Sequence, residues 1–284
     1  MDIFDKYTEK LVKIALGEDI GKGDITTDAL TGKNFPAIAE LIANEPFVVA
    51  GLDLVDYVFK MVDPLVITKK KKQDGDSAQR GSVIAVVRGG IKPLMKAERT
   101  ALNFISRLSG IATLTSEYVN AVRPYGTRIM ATRKTTPGWR ILEKYAVTVG
   151  GGESHRMGLY DQVLIKDNHL KLFKGKPEIA VKKAIQNAKQ KKPEAFVIVE
   201  IDDPQLVTVA KDNGADRILL DNMGTEDLKT AVALAGGTIE LEASGGLSLA
   251  NIREVARTGV DIISIGKITH SAASVDITME IKTV

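Results

Sequence analysis

The second half of the sequence alternates between short apolar runs and amphipathic stretches, and this alternation limits the fold more than any other feature. The apolar runs are typical of buried strands and lie at 128–131, 162–165, 196–200, 217–220, 239–242 and 262–265. Stretches with helical periodicity separate several of them, at 177–191, 204–213, 225–235 and 248–258. Because parallel strands need a crossover connection, usually a helix, the pattern predicts a parallel sheet. With this many strands, an α/β barrel related to the (β/α)₈ type is favoured.

Polar residues stand where the predicted strands end. They are Lys166, Asp167, Glu200, Asp221, Glu242, Ser244 and Gly266. The carboxyl ends of parallel strands meet on one face of such a barrel, where these folds bind ligands. Two late strands also lead into glycine-containing turns, at 244–246 and 264–266. Backbone N–H groups of such turns commonly bind phosphate, so we predict a phosphate site there.

Residues 132–169 concentrate positive charge in a segment that is also rich in glycine. The cationic residues are Arg133, Lys134, Arg156 and Lys166, joined by His155 and His169. Pro137, Gly138 and the glycines at 150–152 interrupt regular structure and let backbone approach a ligand. A solvated basic loop is the alternative, but the mixture with glycine, threonine and histidine ahead of a strand favours an anion site.

The carboxylates and the cations together favour transfer chemistry on a phosphorylated sugar. Carboxylates beside phosphates, here Glu200 and Asp221, indicate Mg²⁺ or ribose hydroxyls as ligands. The separate group of cations then requires a second, anionic ligand.

The composition excludes several other classes of protein. The chain of 284 residues has a net charge of only +3, whereas a nucleic-acid-binding surface normally leaves a larger excess. It has no cysteine, which excludes disulfides, thiol catalysis and cysteine-bound metal, and favours an intracellular, cytoplasmic location. The amphipathic N-terminus does not read as a signal peptide, and no apolar run is long enough to span a membrane.

The first part of the chain reads as a smaller α+β unit. Helices are predicted at 2–16, 53–62 and 92–115, and strands at two places within 37–51 and at 82–88. We expect Asp24 to cap a helix, and the lysines at 69–72 to lie in a solvated loop or at a strand edge. Arg99 alone is typical of a surface charge on a helix.

Eight motifs, in order along nearly the whole chain, resemble those of the quinolinate phosphoribosyltransferase family (decarboxylating nicotinate-nucleotide pyrophosphorylases). They are GDITT at 23–27, ERTALNFISRLSGIAT at 98–113, TRKTTPG at 132–138, GGGESHRMGLYDQVLIKDNH at 150–169, VEID at 199–202, LLDN at 219–222, EASGG at 242–246 and ISIGKITHS at 263–271. The middle motifs are the most specific, and no motif position departs from the family pattern.

The resemblance implies a Mg²⁺-dependent pentosyltransferase of NAD biosynthesis. Such an enzyme joins quinolinate to phosphoribosyl pyrophosphate, and forms nicotinate mononucleotide, pyrophosphate and CO₂. The implied fold is an N-terminal α/β sandwich over 1–112, joined by the C-terminal tail 271–284, and an open α/β barrel of about seven strands over 113–270. The implied assembly is a homodimer with shared active sites, or a hexamer built from dimers.

The resemblance also implies roles for individual residues. The binding sites for quinolinate and pyrophosphate would be lined by Arg133, Lys134, His155, Arg156 and Lys166. Glu200 and Asp221 would hold the ribose hydroxyls and Mg²⁺, directly or through the donor. Lys134 and Lys166 complete the expected catalytic group, and we interpret both as electrostatic rather than nucleophilic. The 5′-phosphate would contact Ser244, Gly245, Gly246, Ser264 and Gly266. Arg99 would reach quinolinate in the neighbouring subunit.

Three alternatives remain open at the level of sequence. They are a molybdenum-transport-associated relative of the same fold, a nicotinate-type pyridine phosphoribosyltransferase, and a non-catalytic polyanion-binding module. A monocarboxylate does not need the four cations Arg99, Arg133, Arg156 and Lys166. A simple phosphate binder does not need the pair of Glu200 and Asp221, so we favour quinolinate as the substrate.

Overall fold

The computed structural model describes residues 3–282, which form two compact units. The first unit contains the described residues of Met1–Ser116, Thr135–Gly151 and Ile268–Val284. The second contains Glu117–Lys134 and Gly152–Lys267. Residues 135–151, which the sequence analysis assigned to the barrel, therefore cluster with the first unit here.

The helices and strands follow one another in a mixed α/β order. The helices are α1 (Lys6–Ile20), α2 (Ile25–Leu30), α3 (Leu52–Val62), α4 (Ile91–Val122), α5 (Arg140–Val149), α6 (Asp167–Leu170), α7 (Pro177–Lys191), α8 (Leu206–Asp212), α9 (Thr225–Ala235), α10 (Ile252–Ala256) and α11 (Lys267–His270). A 3₁₀ helix covers Arg123–Tyr125. The strands are β1 (Pro36–Ala43), β2 (Phe47–Val48), β3 (Ile67–Lys70), β4 (Ser77–Ala78), β5 (Val83–Gly90), β6 (Arg128–Ala131), β7 (Glu153–Ser154), β8 (Val163–Ile165), β9 (Val197–Ile201), β10 (Arg217–Asp221), β11 (Glu240–Ser244), β12 (Ile262–Ile265) and β13 (Ile277–Lys282).

The first unit is built on an antiparallel sheet in the order β13-β1-β5-β3. Burial alternates along β1, so that one face of this strand packs into the core. The last strand, β13, pairs with β1 from Ile277 opposite Ala43 to Lys282 opposite Ile38. The C-terminal tail thus returns to the first sheet over its described residues, and the last two residues lie outside them.

Local chemistry explains where the first elements differ from the prediction. Helix α1 begins at Lys6, later than predicted, because the Asp5 carboxylate accepts the N–H groups of Tyr7 and Thr8. Residue 2 of the predicted helix lies outside the described residues. Asp24 caps α2 in the same way, as expected. The helix predicted at 92–115 runs on to Val122 as α4.

A buried carboxylate anchors residues 135–151 within the first unit. Glu143 on α5 is fully buried, and its Oε1 lies 2.9 Å from the Arg107 guanidinium. The hydroxyl of Thr136 donates to the same oxygen at 2.8 Å. Arg107 also donates to the carbonyl oxygens of Thr269 and Ala272. A charge without solvent needs such partners, which explains why these separate chain segments cluster together.

The second unit contains the predicted parallel sheet, in the order β7-β6-β12-β11-β10-β9-β8. Each neighbouring pair is parallel. The outer strands β7 and β8 do not pair with each other, so this seven-stranded sheet is open. Strand β7 was not predicted from the apolar pattern because it consists of two polar residues. The predicted fold, an N-terminal α/β sandwich unit and an open parallel α/β barrel of about seven strands, is confirmed, and the sheet of the first unit is antiparallel.

Among the described residues, no helix is both long and apolar enough to cross a membrane. The longest one, α4, carries charged residues along its length.

Candidate active site

Most of the predicted site residues lie at the carboxyl ends of the parallel strands. Ten of them end or follow a strand: Arg133 and Lys134 after β6, His155 and Arg156 after β7, Lys166 after β8, Asp221 at the end of β10, Ser244 at the end of β11, Gly245 and Gly246 after β11, and Gly266 after β12. Glu200 is the next-to-last residue of β9. Because these strands are parallel neighbours, the second unit brings these residues to one edge of its sheet, which we call the carboxyl edge. Arg99 lies elsewhere, exposed on α4 of the first unit.

Two arginines of the carboxyl edge lie within electrostatic reach of each other. Arg156 is buried, and it donates to the carbonyl oxygen of Gln162 at 3.3 Å. Burial lowers the pKa of Arg156, and the cation of Arg133 lowers it further. The carboxylates of Asp161 and Glu200 raise the pKa of Arg156 and so offset part of the repulsion between the two arginines, but the net pKa stays lowered. A bound anion would offset the rest of this repulsion.

The third cation, Lys166, is paired with the first of the two carboxylates. Its Nζ lies 2.6 Å from Oε2 of Glu200, whose side chain is mostly buried. The backbone N–H of Lys166 donates to Nδ1 of His169 at 2.9 Å, so that histidine supports the start of α6. Lys134 has an exposed side chain, and its backbone N–H donates to the Thr132 hydroxyl.

The second carboxylate, Asp221, is held on both of its oxygens. The Ser244 hydroxyl donates to Oδ1 at 2.9 Å, from the position directly opposite in the next strand. The amide of Asn222 donates to Oδ2, also at 2.9 Å. Two donors keep the charged form of a carboxylate in a fixed orientation.

The predicted phosphate turns differ in how available their groups are. Gly245 and Gly246 have φ angles of 93° and 63°, a backbone region that favours glycine. Gly266 is half-buried directly after β12. The Ser264 hydroxyl instead donates to the buried carboxylate of Glu242. The role of Ser264 toward a phosphate stays a prediction, and its hydroxyl already has an internal partner.

Glu242, which the sequence places among the polar residues at strand ends, is the centre of a buried network that the sequence did not predict. It is fully buried, and its Oε2 lies 3.4 Å from both His155 Nε2 and the Arg217 guanidinium. Burial opposes its ionisation, but His155, Ser264 and Arg217 outweigh burial and lower its pKa. The available signal was the alternation of Glu240 and Glu242 in an otherwise apolar strand.

His155 is therefore fixed from two sides. Its Nδ1 accepts the backbone N–H of Arg156 at 2.8 Å, while its Nε2 faces Glu242. An imidazole with one nitrogen accepting carries its proton on the other, so the geometry favours the tautomer with the proton on Nε2. This histidine thus connects the buried network to Arg156 at the carboxyl edge.

The described residues contain no group of three or more His, Asp or Glu side chains arranged to hold a metal ion. Glu200 and Asp221 are the acidic residues of the carboxyl edge, and both have partners within the protein. Protein ligands alone would thus not enclose a cation at this edge.

Comparisons with known proteins agree with this arrangement. The model of the quinolinate phosphoribosyl transferase N-terminal domain matches residues 24–109, and that of the C-terminal domain matches residues 111–280. The chain is 40% identical over 270 residues to a probable nicotinate-nucleotide pyrophosphorylase (carboxylating) of Synechocystis sp., covering 94% of this chain and 90% of that one. It is 40% identical over 273 residues to the Bacillus subtilis protein of the same description, covering 96% and 93%.

A solved structure shows the same similarity in three dimensions. The nicotinate-nucleotide pyrophosphorylase of Francisella tularensis superposes with a TM-score of 0.92 at 35% identity, covering 99% of this chain and 98% of that one. The similarity includes both units and therefore the strands that carry the candidate residues. The chain belongs to the quinolinate phosphoribosyltransferase family.

Proposed function

We propose that this protein is a decarboxylating quinolinate phosphoribosyltransferase, a pentosyltransferase of NAD biosynthesis. It joins quinolinate to phosphoribosyl pyrophosphate and forms nicotinate mononucleotide, pyrophosphate and CO₂. Family membership supports this proposal. The structural observation that carries it is the carboxyl edge of the second sheet, where one set of strand ends holds both a group of cations and two oriented carboxylates.

The cations bind the two anionic substrates. Quinolinate is a dicarboxylate, and guanidinium groups such as those of Arg133 and Arg156 bind carboxylates through paired hydrogen bonds. The proximity of these two arginines favours a ligand with two negative charges over one with a single charge. The pyrophosphate of the donor adds further negative charge, for which Lys134 and Lys166 are the candidate partners.

The two carboxylates act on the sugar. The pyridine nitrogen of quinolinate attacks C1′ while the bond from C1′ to the pyrophosphate oxygen breaks, and pyrophosphate leaves with the electron pair. Positive charge develops on C1′ during this step. Glu200 and Asp221 are oriented carboxylates that stabilise this charge and bind the ribose hydroxyls.

Decarboxylation needs no further catalytic group. Once its nitrogen is bonded to C1′, the pyridinium ring withdraws electrons. The bond from C2 to its carboxylate then breaks, CO₂ leaves, and the electron pair stays on C2 until a proton from water is added. Lys134 and Lys166 therefore act through their charge, and the protein contributes by holding the ring in a site with little water.

Mg²⁺ completes the proposal as a cofactor. Mg²⁺ usually retains water and binds through one or two carboxylates together with substrate phosphates. Glu200 and Asp221 fit that donor set, with the donor itself supplying the remaining oxygens. When bound, Mg²⁺ would neutralise charge on the pyrophosphate leaving group.

The assembly and the location are parts of the same proposal. We expect a homodimer, alone or within a hexamer, in which the exposed Arg99 serves the site of the other subunit. We expect this enzyme to work in the cytoplasm.

The test is an assay with quinolinate labelled in its C2 carboxylate, phosphoribosyl pyrophosphate and Mg²⁺. We expect labelled CO₂, pyrophosphate and nicotinate mononucleotide in equal amounts, formed about 100-fold or more slowly by the Glu200→Gln variant at the same protein concentration. Binding of both substrates without any product would instead support the non-catalytic module.

A further inference from the structure

Asn222 has an unusual backbone for a residue with a side chain. Its φ angle is 54°, and among the described residues the others with positive φ are all glycines. This left-handed region costs most residues free energy, whereas asparagine tolerates it. Asn222 directly follows Asp221, the proposed sugar-binding carboxylate, so the unusual conformation lies within the site.

The side-chain amide of Asn222 fixes the carboxylate before it. Its Nδ2 donates to Oδ2 of Asp221 at 2.9 Å, while the other carboxylate oxygen accepts from Ser244. The contact thus joins two side chains that are neighbours in sequence, at a residue whose φ angle is positive.

Asn222 also packs against the predicted phosphate turn. Its backbone N–H donates to the carbonyl oxygen of Ser244 at 2.9 Å. A Cβ atom added to Gly245 would lie 2.1 Å from Oδ1 and 2.4 Å from Cγ of Asn222. The amide of Asn222 therefore covers the position where any other residue at 245 would carry its side chain.

We propose that Asn222 is a positioning residue of the phosphoribosyl site: its amide holds the Asp221 carboxylate and its side chain rests on Gly245, which sets the spacing between the sugar-binding carboxylate and the phosphate-binding turn. The proposal rests on the proposed function of these two groups. It extends that function by assigning a role to a residue whose observed contacts are with Asp221, Ser244 and the Gly245 position.

The chemistry of asparagine fits both contacts, and few other residues would. Glycine tolerates the backbone but has no amide, and alanine has neither the amide nor the tolerance. Aspartate tolerates the backbone but would place a second negative charge at hydrogen-bonding distance from Asp221. Asn222→Gly is therefore the informative variant, because it removes the side chain without straining the chain.

The experiment measures the binding of each substrate separately by calorimetry, together with steady-state kinetics. For Asn222→Gly we expect phosphoribosyl pyrophosphate to bind about 10- to 100-fold more weakly, as for a lost hydrogen bond to a charged group, while the Kd of quinolinate changes less than about twofold. Asn222→Asp should weaken the binding of phosphoribosyl pyrophosphate further. The matched control is Asn213→Gly, which removes the same side chain at the C-terminus of α8, ahead of β10, and should leave both affinities unchanged.

A double-mutant cycle with Gly245→Ala tests the packing contact. Removing the Asn222 side chain removes the two closest contacts of the new methyl group and leaves the backbone nitrogen at 3.0 Å. The loss of donor affinity caused by Gly245→Ala should then be at least about threefold smaller in the Asn222→Gly background.

Each outcome decides the proposal. Unchanged donor binding by Asn222→Gly overturns it, and so does an equal loss for both substrates with a lowered Tm, which would show a merely structural role. If the unaltered protein binds the donor but forms no product, the proposed function fails. The effect of Asn222→Gly on the Kd of the donor then still tests the role of Asn222. If the unaltered protein does not bind the donor, both proposals fail.

Discussion

The two ends of the second sheet use charge in opposite ways. At the amino ends of the strands, opposite charges pair within the protein: the Arg217 guanidinium lies 2.8 Å from Glu240, and that of Arg128 lies 3.0 Å from Glu153. Arg128 also contacts Glu240. At the carboxyl ends, Arg133 lies close enough to Arg156 to lower its pKa. The carboxyl ends also hold an opposite-charge pair, Lys166 with Glu200, so the difference between the two ends lies in the two neighbouring arginines. We propose that paired charges at the amino ends stabilise the fold, and that the arginines at the carboxyl ends bind a ligand.

This comparison separates stability from activity. Changes in the paired charges at the amino ends should lower the free energy of unfolding and leave the chemistry intact. Changes at the carboxyl edge should lower turnover or binding and leave the fold intact. Glu242 lies between the two groups, because it contacts Arg217 on one side and His155 on the other.

The largest effect is expected for Glu242→Gln. The change leaves His155 buried without its carboxylate and leaves Arg217 paired with Glu240 alone, so the free energy of unfolding should fall by about 3 kcal/mol. Urea denaturation measures this value. The control is Glu226→Gln, which breaks an exposed pair with Lys229 and should cost less than about 1 kcal/mol. Equal stability of the two variants would show that the buried network is not structural.

The next effect is on turnover, for Glu200→Ala and for Asp221→Ala. Each loses a carboxylate that stabilises charge on C1′, so kcat should fall by about 100-fold or more. The Kd of quinolinate, measured by calorimetry, should stay unchanged, and the Tm of each variant should equal that of the unaltered protein. Glu240→Gln should show the reverse pattern, with lower stability and normal kcat. Lost quinolinate affinity with normal kcat in Glu200→Ala would contradict the assignment.

The next smaller effect is expected for Arg99→Ala, which changes a cation of the first unit. We expect quinolinate to bind more weakly by about 1.5 to 3 kcal/mol, because a charge-assisted contact to a carboxylate is lost. The Tm of the variant should not change, since the side chain is exposed. Calorimetry with quinolinate measures this effect.

Mixing subunits shows which chain Arg99 serves. Consider a dimer of one Arg99→Ala and one Glu200→Ala subunit in which each site takes Arg99 from one subunit and Glu200 from the other. One site then lacks both residues, and the other site has both. Activity should return to about a quarter of normal when subunits exchange freely between symmetric dimers. Mixtures that exchange subunits and stay inactive would show that Arg99 acts within its own chain.

The smallest effect is the acid dependence of stability. Burial opposes ionisation of Glu240, but Arg217 and Arg128 outweigh it and lower the pKa. A carboxyl group with a lowered pKa stabilises the fold above its ordinary value of 4.5, and this contribution is lost as the pH falls through the lowered value. At pH 7, Glu240→Gln should lose only about 0.5 to 1 kcal/mol, because the pair is partly exposed.

Unfolding measurements from pH 3 to pH 7 check this sign. The difference in stability between Glu240→Gln and the unaltered protein should shrink below about pH 4.5. A difference that grows on acidification would contradict the pairing of Glu240 with the two arginines.

The sequence predicted the parallel sheet well because its strands are buried on both faces and read as continuous apolar runs. Strands β6 and β12 have the predicted boundaries. Strand β7 was missed because the pair of Glu153 and Ser154 has no apolar signal and is defined by pairing with β6. The placement of α5 with the first unit was also beyond the sequence, since it depends on the long-range contact of Arg107 with Glu143.

The candidate site was predictable where it follows strand ends, and less so where it depends on packing. Lys166, Glu200 and Asp221 stand at positions that a parallel sheet brings together. The partners of Ser264 and His155 could not be predicted, because both contact Glu242 across neighbouring strands that are distant in sequence. No sequence pattern predicts the positive φ angle of Asn222.

The central claim is that the cations of the carboxyl edge select a dicarboxylate for transfer. The most direct measurement compares kcat/KM for quinolinate and nicotinate with phosphoribosyl pyrophosphate and Mg²⁺, following pyrophosphate release. The account predicts that quinolinate is preferred by at least about 100-fold, since one charge-assisted carboxylate contact is worth about 1.5 to 3 kcal/mol and two cations act together. Equal or better turnover of nicotinate would contradict it.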